Sequence, residues 1–232
     1  MKKEKINKIF HSIADKYDLM NDLMSFGLHR LWKKKFVDMI DLSLKKKIFI
    51  LDLGSGTGDI VSQINKKYKQ NSNYLSFLVD PSTEMIKEGT KKLKGKNIIW
   101  VASYGEKLPF KSNKFDLVTM SFSLRNVENI KITLNEVKRV LKKNGQFLCL
   151  EFGKIKNLAI NSIYKTYSDN FIPALGKNIT GNKEAYEYLV ESIKKFPPQE
   201  KILRILKLKK FHDIDFYNLN FGVAVIYSCR KK

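Results

Sequence analysis

The run Ile48-Phe49-Ile50-Leu51-Asp52-Leu53-Gly54-Ser55-Gly56-Thr57-Gly58-Asp59 admits few folds. An apolar segment that does not alternate, rich in Ile and Leu and ending in glycines, reads as a parallel strand buried on both faces that turns sharply into a helix. Parallel neighbours need helical crossovers, so the chain is expected to be α/β. Glycines at alternate positions let the backbone bend tightly and come close to a bound molecule where side chains would stand in the way. The loop after such a strand is therefore a candidate ligand site.

Its spacing narrows the ligand. A P-loop needs G-x-x-x-x-G-K-[ST], with a lysine for phosphates, and the dinucleotide fingerprint G-x-G-x-x-G needs a third glycine at position 59. Asp59 occupies that place. A carboxylate suits a helix start without any anion present. What remains is a loop for a nucleoside without phosphates, such as S-adenosylmethionine, whose amino-acid end would lie over Gly54 and Gly56. Asp52 is then placed to take the ammonium and backbone N–H groups the carboxylate. The competing reading is an ordinary strand-to-helix turn.

Tyr74 to Asp80 is a second apolar run ending in a carboxylate, about 20 residues beyond the glycines, where a ribose is held. A carboxylate accepts hydrogen bonds from both ribose hydroxyls. Ser82 is the better cap for the helix expected from Ser82 to about Lys94, which leaves Asp80 free for a ligand. Further strands are expected over 97–101, 115–122 and 146–152. Between the first two, Ala102 to Phe110 lies where an adenine would reach the sheet edge. After the fourth strand come Ser123-Leu124-Arg125-Asn126, at the carboxyl edge where open α/β sheets bind ligands. Ile130, Leu134, Val137 and Leu141 form a helical stripe expected to stop at Asn144-Gly145. The last two strands, near 211–218 and 223–230, pair as a hairpin, so one runs antiparallel to the rest. The fold expected is a doubly wound, mostly parallel seven-stranded sheet, Rossmann-like, with the last strand antiparallel.

The chain has 232 residues, 43% hydrophobic, enough for a single domain with a large core. Its N-terminal 1–45 is expected to be a helical cap, with Ile6, Ile9, Phe10 and Ile13 on one face. The mixed segment from Tyr17 to Trp32 resembles a lid or substrate wall. Residues 153–195 interrupt the alternation as an aromatic-rich helical insertion, with Tyr164, Tyr167, Phe171, Ile172, Pro173, Leu175, Tyr186, Tyr188 and Leu189, a surface suited either to a greasy ligand or to packing on its own domain. No stretch is long and apolar enough to span a membrane and no leader is evident, so cytoplasm or an organelle matrix is expected. Cys149 and Cys229 read as reduced core residues, and His11, His29 and His212 lack metal-ligand spacing, so no metal is expected. The formal charge of +21, from 44 Lys and Arg against 23 Asp and Glu, invites a nucleic-acid reading. The lysines are spread along the whole chain, which favours either general basicity or attraction to an anionic membrane surface.

Four patches carry a family resemblance: Phe10 through Trp32, Leu51 to Asp59, Leu108 through Val127, and Arg139 through Phe152. Tyr186 through Ile193 and the Tyr217 to Val223 ending extend it. On these the chain resembles the class I S-adenosylmethionine-dependent methyltransferases, and within them the ubiquinone/menaquinone biosynthesis C-methyltransferases. The resemblance implies methyl transfer to a ring carbon of a polyprenylated hydroquinol, either a demethylmenaquinol or a methoxy-benzoquinol. It implies cofactor contacts at Thr57, Asp80, Tyr104, Gly105 and Ser121. Where Tyr104 stands the family has Asn or Asp, so stacking on adenine replaces a side-chain hydrogen bond.

The acceptor carbon becomes nucleophilic when the ring hydroxyl loses its proton. Arg125 is expected to favour the phenolate and Asn126 to orient its oxygen, with water or His29 as base and Tyr17 in the substrate wall. The partners expected are the prenylated hydroquinol, an anionic membrane surface and a second copy of the chain, with no nucleic acid. Two rivals stand beside this reading. One is an RNA methyltransferase, motivated by charge and opposed by the absence of an Asn-Pro-Pro-aromatic motif and a Pro-Cys nucleophile. The other is a catalytically silent, cofactor-binding partner of a quinone-biosynthesis assembly, motivated by Tyr104.

Overall fold

The computed structural model describes residues 21–22, 25, 27–42, 47–68, 73–167 and 183–232. Tyr17, the apolar face from Ile6 to Ile13, and Phe171, Ile172, Pro173 and Leu175 lie outside the described residues.

Seven strands form one sheet: β1 (Ile48–Leu53), β2 (Tyr74–Asp80), β3 (Ile98–Ala102), β4 (Phe115–Ser121), β5 (Leu141–Phe152), β6 (Phe211–Leu219) and β7 (Ala224–Lys231). Their order is β3-β2-β1-β4-β5-β7-β6. Strands β1 to β5 are mutually parallel, and β7 runs antiparallel to both β5 and β6. The expected architecture is therefore present, with β7 as the reversed strand. The order changes direction between β1 and β4, and the crevice for a ligand opens at their carboxyl ends.

Burial on both faces explains the missing alternation in β1. Leu51 and Leu53 join Phe77, Val79, Val118, Met120, Phe147 and Cys149 in one core layer. Ile48 and Ile50 join Leu117, Leu148, Leu150 and Ile226 in the other. Successive strand residues point to opposite faces, so a strand covered on both sides must be apolar throughout. Helix α1 (Leu28–Asp38) closes the second layer with Trp32, Phe36 and Val37, beside α2 (Asp59–Lys67) with Ile60 and Ile64. Helix α3 (Thr83–Lys92) starts at Ser82, whose hydroxyl accepts from the Met85 backbone N–H. Helix α4 (Ile130–Val140) is capped by the Asn129 side chain, whose Oδ1 accepts from the backbone N–H groups of Lys131 and Ile132.

One boundary differs from expectation. Helix α4 ends at Val140, and Leu141 already pairs with Phe115 in the sheet. Asn144, with φ of 61°, and Gly145 therefore shape an irregularity inside β5, where the register jumps before Leu117 meets Gln146. A left-handed Asn beside Gly serves a strand bulge as well as a helix end.

The insertion supplies α5 (Leu158–Thr166) and α6 (Lys183–Lys195), and α7 (Gln199–Leu208) follows the Pro197-Pro198 pair. Tyr186 and Leu189 are buried against Phe152 and Tyr167, so these two are used in packing the insertion onto its own domain. No described helix is long and apolar enough to cross a membrane. Among the described residues no group of His, Cys, Asp and Glu gathers for a metal, and both cysteines are buried as free thiols.

Candidate active site

The glycine loop is held by sterics and by backbone hydrogen bonds. Gly54, at φ of +67°, leaves no room for a side chain: a Cβ there would sit 2.4 Å from Ser123 Cβ and 2.6 Å from its Oγ. Gly56, at φ of +54°, faces open space, and a Cβ would meet no protein atom within 4 Å. Gly54 N–H and Ser55 N–H both donate to the Val79 carbonyl, which ties the loop to the end of β2.

A cleft opens at this edge. Its walls bring together Gly54 and Gly56 after β1, Asp80 at the end of β2, Tyr104 and Gly105 after β3, and Ser121 and Asn126 at the end of β4 and just beyond. Met85, Met120, Phe122 and Val127 make it largely apolar, and Glu106 and Glu128 stand at it too. The Ser121 hydroxyl is buried without a hydrogen-bond partner. An unpartnered hydroxyl in a cleft wall is an unmet demand that a ligand can satisfy.

Asp80 is engaged, not free. One of its oxygens accepts from Gly56 N–H at 2.8 Å and the other from Ser82 N–H at 2.8 Å. The expectation that Ser82 capping would release Asp80 overlooked these backbone donors. A carboxylate offers about four lone-pair sites, so the engaged oxygens can still accept from a ribose. Tyr104 is 37% exposed at the rim, presenting a ring where Asn or Asp was expected.

Three of the expected residues stand elsewhere. Asp52 is buried beneath the loop, where Thr119 Oγ1 donates to it at 2.7 Å and its other oxygen has no partner. Burial pushes its carboxyl up to about 7. Thr57 and His29 line a separate cleft with Gly58 and Asp59. There the His29 Nδ1 lies 2.9 Å from Ser25 Oγ, and burial lowers its basicity below that of an ordinary histidine. Beside that cleft a Lys33 to Asp59 ion pair of 2.6 Å joins α1 to the first residue of α2.

Arg125 also departs from expectation. It belongs to the short turn Leu124–Asn126, and its guanidinium is buried against Glu151 (2.8 Å) instead of lining the cleft. Glu151, fully buried at the end of β5, also accepts from the backbone N–H groups of Arg125 (3.1 Å) and Phe152 (2.9 Å). The Arg125 Nε–H is buried without a partner. Asn126 does reach the cleft: its amide nitrogen donates to the Phe122 carbonyl (3.3 Å), and Tyr188 on α6 donates its hydroxyl to the amide oxygen (2.9 Å).

Glu151, Thr119 and Tyr188 were not singled out as site residues in the sequence. The first two carry a visible signal, since a charged or polar residue inside an apolar buried strand needs a partner.

A nucleoside bearing a sulfonium fits these residues, with a glycine cradle at Gly56, acceptors at Asp80, an unmet hydroxyl at Ser121 and an aromatic rim at Tyr104. The comparisons agree. The model of the ubiE/COQ5 methyltransferase family matches residues 1–231. The chain belongs to this family. It is 45% identical over 235 residues to the ubiquinone/menaquinone biosynthesis C-methyltransferase of Rickettsia bellii, covering 99% of this chain and 94% of that one. It is 46% identical over 231 residues to the enzyme of the same name from Rickettsia prowazekii, covering 97% and 92%. A S-adenosylmethionine-dependent methyltransferase from Thermotoga maritima shares the fold, with a TM-score of 0.69 over 98% of this chain and 100% of that one at 16% identity. The family member is thus a methyltransferase with S-adenosylmethionine as its cofactor.

Proposed function

We propose that this chain transfers a methyl group from S-adenosylmethionine to a ring carbon of a polyprenylated hydroquinol, in the making of menaquinone or ubiquinone. The observation that carries the reading is the family match along the whole chain, joined to a cleft whose one side suits a nucleoside and whose other side is apolar with Asn126 in it.

The cofactor, when bound, supplies an electrophilic methyl on a sulfonium. Gly54 and Gly56 let the loop backbone approach its amino-acid end, Asp80 accepts from the ribose, and Ser121 gains the partner it lacks. Gly105 stands at the cleft beside the adenine, its backbone packed so closely on Thr133 that a Cβ would meet Thr133 Cγ2 at 3.2 Å. Tyr104 stacks at the rim. Asp52, poised near neutrality, is drawn toward its charged form when a cation arrives above it.

The remaining task is to align the acceptor carbon and favour its phenolate. A phenol of ordinary pKa, about 10, is mostly protonated at neutral pH. Asn126 offers an N–H to the ring oxygen, and Arg125 places a cation behind it, its field reduced by the Glu151 partner. Water entering through the open cleft takes the proton, since His29 stands in another cleft. Alignment of acceptor and methyl does most of the rest.

The acceptor's prenyl chain makes a membrane surface a natural partner. Leu31 and Phe221, 62% and 74% exposed, flank in sequence the Trp32 to Asn220 hydrogen bond of 2.7 Å, near exposed Lys34 and Lys35. Vesicles rich in anionic lipid should sediment the protein, and Leu31→Asp with Phe221→Asp should abolish this.

The deciding assay is methyl transfer from labelled S-adenosylmethionine to reduced short-chain demethylmenaquinol and methoxy-benzoquinol. Product from either supports the reading and names the ring; product from neither, with cofactor bound, rejects it.

A further inference from the structure

Asn126 is ambiguous by chemistry and fixed by its neighbours. A side-chain amide can present either its oxygen or its N–H groups to a ligand. The Phe122 carbonyl can only accept, so the amide nitrogen must face it, and the amide oxygen then faces Tyr188. The nitrogen keeps a second hydrogen that the Phe122 contact does not use. Tyr188 is half-buried, packed against Tyr186, Leu189 and Val190, and burial raises its pKa above the ordinary phenol value. Its hydroxyl therefore remains a donor.

We infer that Tyr188 is a positioning residue for methyl transfer: holding the Asn126 amide oxygen while the Phe122 carbonyl holds its nitrogen, its hydroxyl keeps the amide presenting N–H, not C=O, to the acceptor oxygen. This rests on the reading that the acceptor binds beside Asn126. A wall that donates matches a phenolate, which only accepts, whereas a flipped amide would set two oxygens against each other. The contact also makes catalysis depend on the docking of the insertion, because α6 reaches the cleft wall through this hydroxyl.

The test combines kinetics with a spectroscopic readout on the full-length chain. Tyr188→Phe should lower acceptor kcat/KM about ten-fold, the effect of one lost positioning hydrogen bond, while leaving the cofactor Kd within about two-fold. In the Asn126→Ala background the same change should cost nothing further. The side-chain amide resonances of Asn126 in 15N-labelled protein should shift or broaden in Tyr188→Phe. Equal losses from Tyr188→Phe in both backgrounds, full activity of Asn126→Ala, or unmoved Asn126 resonances would each overturn the inference. If the wild type methylates neither acceptor, the functional reading fails, and the resonances alone decide whether Tyr188 sets Asn126.

Discussion

Gly54→Ala is expected to damage the site by a route that a second substitution can undo. The added Cβ meets Ser123 Cβ at 2.4 Å and Oγ at 2.6 Å, and φ of +67° disfavours any L side chain. The backbone part of the cost is about 1–2 kcal/mol. Overpacking against Ser123 adds about 1–3 kcal/mol. Removing the Ser123 side chain leaves only its Cα, at 3.9 Å, so the second part vanishes and the first stays. Ser123→Gly alone gives up the hydrogen bond from Ser123 Oγ to the Leu53 carbonyl (3.0 Å), worth about 1 kcal/mol. Urea unfolding of wild type, both single variants and the double variant therefore closes a cycle with a favourable coupling of about 1–3 kcal/mol. Cofactor affinity should follow the same pattern, weak in Gly54→Ala and partly restored in the double variant. If Gly54→Ala costs the same in both backgrounds to within about 0.5 kcal/mol, the close approach to Ser123 does not explain this glycine.

Breaking the buried pair by Glu151→Gln should cost about 3–5 kcal/mol, because it leaves Arg125 without its countercharge, and should lower Tm by about 2–4 °C per kcal/mol in a domain of this size. Calorimetry checks this, and a double Arg125→Met, Glu151→Met variant should recover most of the loss. Asp52 is an acid whose folded pKa, about 7, lies above the 3.8 of an unperturbed carboxyl, so folding favours its protonated form. Its contribution to stability is complete below the lower value and is lost as pH rises to the higher one, on the order of 4 kcal/mol across that window. Asp52→Asn should flatten this slope in urea midpoints measured across the window; an unchanged slope refutes the assignment. Phe221, exposed at φ of 60°, bears backbone strain with little packing in return. Phe221→Gly should leave stability unchanged or raise it by up to about 1 kcal/mol in urea unfolding, while weakening vesicle binding.

The sheet and its binding edge were legible in the chain before folding was considered. Apolar runs ending in Gly54, Asp80 and Ser121 are strands buried on both faces, and the residue that ends such a strand must stand at its carboxyl edge. Local chemistry also fixed the Ser82 cap and the break at Pro197-Pro198. Family resemblance added the cofactor and the reaction. Which side chains share a cleft, and which are consumed by other partners, follows from how the chain packs in three dimensions. Asn144-Gly145 carries the same left-handed signal for a helix end or a strand bulge, and only the pairing of Leu141 with Phe115 chooses the bulge. Asp52, Arg125 and His29 all belong to promising patterns. Yet Thr119 and Glu151 engage Asp52 and Arg125 across 67 and 26 residues of chain, and His29, held locally by Ser25, stands in a different cleft. Tyr188 was visible only as one aromatic of the insertion, within the Tyr186 to Ile193 patch of the family resemblance. Its hydroxyl acquires meaning only because folding carries it across 62 residues of chain to Asn126, and hydrogen bonding acts at contact distance, which periodicity and composition do not encode.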